Sequence, residues 1–551
     1  MHRRGWLSAE CCEYCSSFLR HCCLAEGIGV WWLLAALGHL LPVVTALFVY
    51  AFALLVGGLS FLPGGLGSRE AAMIGLLSLY GLPEAAAIMA TLICRLGTLW
   101  FAVVLGGCFS GETKNDGTGI MSLRAWGRLP VMPAAEEIWW NDRTAALPPL
   151  SSLISAAGGM LAYGNGRSYG DVCLNSGGAL LHTRGLDRLM AFDAVTGVMT
   201  CEAGVLLSEI LDVFVPRGWF LPVTPSTRFV TVGGAIANDV HGRNHHGAGT
   251  FGCHVRRFEL LRSDGSRHIC SPQENAELFS ATIGGMGLTG LITWVELALR
   301  PISSAYVEVE NTRFSGLDEF FALNAEVEAK HEYVVAWVDC LAPSLRGIFM
   351  AGDHAPEGGF VMRGQTRLGI PFTPPFSLVN RLSLRAFNAA YYNRPLALHQ
   401  IVHYAPYFYP LDAVQNWNRI YGPHGFFQYQ FVLPMAAREA VGEVFNAIAA
   451  DGRGSFLAVL KTFGERTSPG LMSFPMHGLT LALDFPNNGA LTLALFRRLD
   501  AIVEAAGGRL YAAKDARMSG VFYRRSYPRF EEFMHHVDPA FLSDFARRVL
   551  S

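Results

Sequence analysis

Two glycine-dense segments constrain this chain more than any other feature of its 551 residues. The first runs from Tyr163 to Asp171 and reads Tyr-Gly-Asn-Gly-Arg-Ser-Tyr-Gly-Asp. The second runs from Thr231 to His246 and reads Thr-Val-Gly-Gly-Ala-Ile-Ala-Asn-Asp-Val-His-Gly-Arg-Asn-His-His. Gly164, Gly166 and Gly170 allow positive φ and let backbone amides approach a ligand closely. A run of such amides forms an anion nest suited to a pyrophosphate, and Arg167 adds a cation. The competing reading is an ordinary glycine-rich turn. A Rossmann fingerprint is excluded, because Val-Cys-Leu-Asn-Ser-Gly-Gly follows in place of an apolar helix. The second small-residue segment stands ready to form the opposite wall of a site.

On these two segments the chain resembles the flavin-dependent oxidases of the vanillyl-alcohol-oxidase type. Within them it is most similar to the decaprenylphosphoryl-β-D-ribose 2′-oxidase branch. The resemblance continues through Glu277-Leu-Phe279 to Gly287-Leu-Thr-Gly290 and through Gly425 to Pro434. It reaches Tyr511-Ala-Ala-Lys-Asp-Ala-Arg517 and spans roughly the last four fifths of the chain. It implies an α+β, two-domain flavoprotein of the PCMH type. The FAD-binding domain is expected at 121–302 and a substrate domain on an antiparallel sheet at 303–508. Residues 509–551 are expected to return to the FAD domain.

The local patterns fit an α+β chain. Short apolar runs at Ala179–His182, Met199–Ala203, Phe258–Arg262 and Leu291–Leu299 read as strands, and Ser263-Asp-Gly265 reads as a hairpin turn. Val205–Phe214 has helical spacing. Beyond Pro301 the texture changes, and aromatic residues become dense from Tyr391 to Phe431, which suggests a second domain with an apolar cleft.

The first fifth of the chain is different. From Gly27 to Ser68 there is no Asp, Glu, Lys or Arg, a run well beyond the ~20 residues that cross a bilayer. A signal peptide would have a shorter apolar region and a small-residue cleavage site. A second apolar stretch, Ala85–Phe109, carries only Arg95, which should face protein and pair, with Glu70 as its partner. Between the two lies Phe61-Leu-Pro-Gly-Gly-Leu-Gly-Ser-Arg-Glu70, which resembles the lysylphosphatidylglycerol-synthase transmembrane family. The expectation is a membrane anchor of two transmembrane helices over 1–110 and a polar linker at 111–120. Trp31 and Trp32 are placed as interfacial anchors. Arg3, Arg4 and Arg20 before the spans, with Lys114, Arg124 and Arg128 after them, put both ends and the catalytic part on the cytoplasmic face of the inner membrane.

Hydrophobic residues make up 51% of the chain, and net charge is −2. No basic field points to nucleic acid. Five of the twelve cysteines fall in the first 23 residues. Cys12-x-x-Cys15 lacks a second pair at ligand spacing, so the expectation is free thiols or a misassigned start of the chain in place of a metal site. The scattered remainder points to a reducing compartment.

The resemblance also assigns roles. FAD is expected at Gly164, Asn165, Gly166, Arg167, Ser168, Tyr169 and Gly170. Thr227, Val232, Gly233, Gly234, Ala237, Asn238 and His241 form the second group, and Gly287, Thr289 and Gly290 a third. Relatives with covalent flavin carry a histidine where this chain has Arg167, so FAD is expected to be held non-covalently. Lys514 is the leading catalytic candidate, an ammonium beside the flavin ring that also orients the substrate hydroxyl. His241, Lys461, Gln428 and Gln430 complete the catalytic set, with Asp484 a further match. On a strand, Gln428 and Gln430 point the same way. Ala482 stands where mycobacterial relatives have a cysteine. His245 and His246 have no carboxylate cluster beside them and no metal is expected; His535 and His536 read as surface.

The implied reaction is oxidation of a secondary sugar hydroxyl, namely the 2′-OH of a polyprenyl-phosphate ribose to the 2′-keto sugar. An NAD(P)H-dependent short-chain reductase would then complete an epimerisation to arabinose. The rivals are an oxidase of free alditols or aldonolactones and a lipid-handling membrane protein with a flavin-sensing domain.

Overall fold

The structure is a computed structural model that describes residues 26–59, 67–95, 125–130, 136–149, 158–361 and 368–550. It divides into two compact units, Met1–Asp116 and Gly117–Ser551.

In the first unit the uncharged run does not form one helix. Gly38 at φ +84° and Pro42 interrupt it, giving a helix over 26–36 and a second over Val43–Leu59. The latter has 17 residues, a length of about 25 Å at 1.5 Å per residue, short of a hydrocarbon core of about 30 Å. Among the described residues no helix is long and apolar enough to cross a membrane. The expected pair of spanning helices is therefore not found among them. The Pro-Gly-Gly turn, most of the stretch beyond Arg95, the linker at 111–120 and the N-terminal cysteines lie outside the described residues. Arg95 does form the expected ion pair with Glu70, whose other oxygen accepts from the Gly67 amide at 2.6 Å. Val30, Leu34, Val49, Tyr50, Met73 and Leu77 pack together inside this unit.

The second unit is α+β. A small parallel sheet has the order 136–139, 179–182, 160–163. A five-stranded antiparallel sheet has the order 189–193, 198–202, 291–298, 255–261, 267–270. The turn at Ser263-Asp-Gly265 joins its last two strands as a hairpin, with Gly265 at φ +83°. The helix expected near 205–214 runs over Leu207–Phe214 and buries Leu207, Ile210, Leu211 and Phe214.

The third sheet organises the site. Its eight strands run in the order 399–403, 306–315, 346–354, 333–338, 458–463, 478–486, 426–434, 509–510. Strand alternation splits its residues between two faces. Phe314, Ala336, Phe349, Leu460, Leu481, Leu483 and Phe431 point to one side, into a core closed by helices Leu317–Val327, Ala440–Asp451 and Ala490–Ala505. Residues of the opposite parity point into a cavity. Their cross-strand register runs Asn311, Met350 and Val335 on one half of the sheet. It continues with Trp337, Val459, Ala482 and Gln430 on the other half.

After Arg509–Leu510 the chain leaves this sheet and meets the first glycine-rich loop, where the Tyr169 amide donates to the Ala513 carbonyl at 3.0 Å. The C-terminal segment then clamps the parallel sheet: the Met160 amide donates to Ala540 O at 2.7 Å, and Ser176 bonds Asp544.

Candidate active site

A cavity of about 740 Å³ lies where the two glycine-rich segments, the open face of the eight-stranded sheet and Lys514 converge. Such a volume suits a large cofactor with a substrate beside it.

The glycines set the first wall. A Cβ on Gly164 would lie 2.5 Å from Thr231 Oγ1, and one on Gly166, at φ +58°, 2.2 Å from the Tyr163 hydroxyl. Gly164 thus lets the first loop close on the Thr231 side chain of the second segment, and Gly166 lets that loop fold over its own Tyr163. Thr231 caps the short helix Val232–Ala237 by accepting from the Gly234 amide at 3.1 Å. Asn165 Nδ2 donates to Phe229 O at 2.7 Å and ties the first loop to the second segment. Arg167 lies over the Trp126 ring at 4.0 Å, and its Nε is buried with no partner. Burial lowers its pKa, opposed chiefly by the nearby Asp412. Asn238 Oδ1 and Gln428 Oε1 are likewise buried and unmatched. Buried polar atoms are expected to have partners, so this wall fits a bound group offering anionic oxygens and amide-like donors, as FAD does.

The second wall carries ionisable side chains. Lys461 Nζ sits 2.9 Å from His241 Nδ1 and donates to the Gly242 carbonyl at 2.5 Å. On the other side of the ring, Gln430 Nε2 lies 3.0 Å from His241 Nε2. Gln428 Nε2 donates to Asp484 Oδ1 at 2.7 Å, and these two residues are cross-strand partners. Lys514 Nζ rests 3.9 Å from the Tyr169 ring centroid. Burial drives the shifts of the charged groups, since it disfavours the charged form. It lowers Lys461 to about 7, with Arg243 and Lys514 adding to the effect. It lowers Lys514 to about 8 against the pull of Asp484, and raises Asp484 to about 7. His241 is held well below its ordinary value by burial and then by Lys461.

Most sequence-derived positions meet at this cavity. Residues 164–169, Thr227, Gly233, Gly234, Ala237, Asn238, His241, Gly287 and Gly290 border it, as do Gln428, Gln430, Lys461 and Lys514. Three do not. Val232 turns into the apolar core beside Val205. Thr289 is buried and bonded to the Thr282 hydroxyl at 2.9 Å. Gly170 packs on the C-terminal segment, where a Cβ would fall 1.6 Å from Asp515 O. His536 also departs from a surface reading, because its side chain is mostly buried.

The sequence reading missed Arg243, whose guanidinium lies over Tyr407 at 4.4 Å, and Asp412, Trp126 and Trp337, all on the cavity wall. For Trp337 the alternation within 333–338 was a usable signal; Asp412 and Trp126 carry none.

Comparison with known proteins gives the context. Residues 155–271 match the FAD binding domain family, and residues 21–106 match the lysylphosphatidylglycerol synthase TM region. The chain is 35% identical to the decaprenylphosphoryl-β-D-ribose oxidase of Mycolicibacterium smegmatis, over 80% of this chain and 99% of the relative. It is 32% identical to an uncharacterised protein of Streptomyces coelicolor, over 63% of this chain and all of the relative. The L-gulonolactone oxidase of Mus musculus is 30% identical over 25% of this chain and 31% of its own length. The glycine cradle, the unmatched buried polar atoms and the buried lysines agree with these similarities, and the chain belongs to the decaprenylphosphoryl-β-D-ribose oxidase family and is an FAD-dependent oxidoreductase.

Proposed function

We propose that this protein oxidises the 2′-hydroxyl of a polyprenyl-phosphate ribose to the 2′-keto sugar, with FAD held non-covalently. The similarity to an oxidase named for that substrate class, over 80% of this chain and 99% of the relative, carries the reading. The cavity supports it, because two lysines, a histidine and two glutamines face one another beside the glycine cradle. The FAD-binding part is assigned to 121–302, the substrate part to 303–508 and the C-terminal return to 509–551.

Residues 164–169, Gly233, Gly234 and Asn238 would hold FAD, with Arg167 offering its free Nε–H. Bound FAD supplies the acceptor for the hydride that leaves C2′. The protein must then take the hydroxyl proton and steady the oxygen. Lys514, buried and still largely charged at neutral pH, would donate to that oxygen. The Lys461–His241 pair would receive the proton: the Lys461 amine exists in both protonation states near pH 7 and is hydrogen-bonded to the imidazole. Asp484, which accepts from Gln428 and whose charge acts on Lys514, would steady that ammonium.

The match to a transmembrane-region family supports membrane attachment of residues 1–110, with the catalytic unit on the cytoplasmic face. The keto product requires a separate NAD(P)H-dependent reductase to finish the epimerisation.

Anaerobic mixing of the purified protein with a panel of prenyl-phosphate pentoses and free sugars tests the reading. Loss of flavin absorbance with the lipid-linked ribose is expected. Faster bleaching by free alditols or aldonolactones would overturn it in favour of a soluble-sugar oxidase.

A further inference from the structure

The catalytic unit exposes large apolar side chains mainly in one stretch of its chain. Fifteen such residues are exposed among its described residues, and nine fall between Val361 and Ile401. Leu368, Leu382, Leu398 and Ile401 are 70%, 79%, 63% and 62% exposed, and Phe372 and Phe376 are both 55%. The other six are spread over the rest of the unit. Single exposed apolar residues are ordinary, but a cluster of them marks an interaction surface.

The helix Arg381–Asn393 shows how the surface is built. Leu384 and Asn388 are its buried side. Leu382, Ala386 and Ala389, at the i, i+4, i+7 spacing of a single helix face, are exposed, with Arg385 beside them. The helix therefore turns an apolar stripe flanked by arginine toward the outside. Charge adds a second, independent observation. From Gly358 to Leu411 the chain has five arginines and no Asp or Glu, although the whole protein carries a net charge of −2. Arg381, Arg385 and Arg394 are exposed among them.

This surface adjoins the cavity. Phe387, Tyr391, Arg394 and Gln400 border the cavity and belong to the same segment. Inward from them the sheet offers Met350, Val335, Trp337 and Val459 before reaching Lys461. The path is apolar between a basic rim and a polar end.

We propose that residues 368–401 form a second membrane-docking face, which seats the catalytic unit on an anionic lipid surface and opens its cavity toward the bilayer. Apolar side chains entering the interface, with arginines at the headgroup level, are the physical basis of such docking. A second copy of this chain fits less well, because a two-fold contact of this face would set arginine against arginine. The purpose of the face rests on the lipid-linked substrate reading, whereas its existence does not.

Hydrogen exchange of the full-length protein in nanodiscs tests the proposal. Discs of phosphatidylcholine alone are compared with discs containing one third phosphatidylglycerol. Exchange across 368–401 should slow roughly tenfold in the anionic discs, as for a segment whose local opening is coupled to lipid contact. Exchange across the helix Ala490–Ala505 should not change. The double variant Phe376→Asp, Leu382→Asp should keep its flavin absorbance and lose the lipid-dependent protection. Equal exchange in both discs would overturn the proposal. Protection that instead rises with protein concentration in detergent would assign the face to self-association and overturn it too. The Michaelis constant for the lipid-linked ribose in anionic discs should rise in the variant. If the wild type oxidises no prenyl-phosphate pentose, the substrate reading fails while the exchange result stands.

Discussion

The protonation of Lys461 decides which tautomer His241 adopts. As an ammonium, Lys461 donates to His241 Nδ1, so the ring proton sits on Nε2 and Gln430 must offer its carbonyl oxygen. As a neutral amine, Lys461 accepts from Nδ1–H, and Nε2 then accepts from the Gln430 amide. The latter agrees with Gln430 Nε2 also facing Thr480 Oγ1 at 3.4 Å; amide and tautomer assignments follow from such networks. Burial holds Lys461 near 7 and Lys514 near 8. A base must be neutral and an oxygen-steadying ammonium must be charged. The rate of anaerobic flavin reduction should therefore rise with pH through about 7 and fall above about 8. Lys461→Met should abolish the acid limb and leave the alkaline one, since Asp484 is the charge that acts on Lys514. An acid limb unchanged in that variant would move the base elsewhere. Lys514→Ala should retain flavin and lose roughly a hundredfold or more in reduction rate, the usual effect of removing one preorganised electrostatic partner. Stopped-flow absorbance with matched flavin content decides this, and a wild-type rate would make Lys514 structural.

At the scale of elements, the first glycine-rich loop is held by the C-terminal segment as much as by the second glycine-rich segment. Gly170 has φ −111°, open to any residue, so its constraint is space and not backbone conformation. Gly170→Ala should push the loop off Ala513–Asp515, cost about 1–3 kcal/mol as an overpacking change, and weaken FAD retention. Gly247→Ala, with nothing within 4 Å of the added methyl, should be neutral. Urea midpoints and flavin occupancy of the two variants check this. Thr231→Ala removes a helix cap and should cost about 1 kcal/mol. Three strands of the five-stranded sheet, its hairpin and the helix Leu207–Phe214 were legible because each is written in local alternation, turn residues or helical spacing. The side chains of Val232 and Thr289 turn away from the cavity, because a motif gives a segment's place but not the direction of each side chain.

For the molecule as a whole, the division at Asp116 predicts that residues 117–551 form a soluble, flavin-loaded protein when expressed without the first unit. A truncated protein unable to retain FAD would show that the first unit belongs to the catalytic fold. Acid precipitation of the full-length protein should release yellow FAD into the supernatant; colour left in the pellet would contradict the absence of a histidyl link at Arg167. The first unit is the part least faithful to its sequence pattern, because composition registers apolarity while Gly38 and Pro42 set where helices stop.

The sequence by itself determined what depends on one residue or on its near neighbours. Glycines at 164 and 166 allow the close approach, arginine at 167 leaves no imidazole for a covalent link, and Gln428 and Gln430 share a face because strand side chains alternate. The tertiary structure decided what requires distant segments to meet. Lys461 reaches His241 across 220 positions, Arg95 reaches Glu70 from the next helix, and Gly170 answers to a carbonyl more than three hundred residues away. The apolar, acid-free run after Gly358 could have been a buried segment on composition alone. Only the fold, by burying Leu384 and Asn388 and leaving Leu382 and Ala386 outside, made it a surface. Local sequence specifies backbone freedom and periodicity, whereas burial, and with it the pKa of a lysine or the exposure of a leucine, is a property of what packs against it.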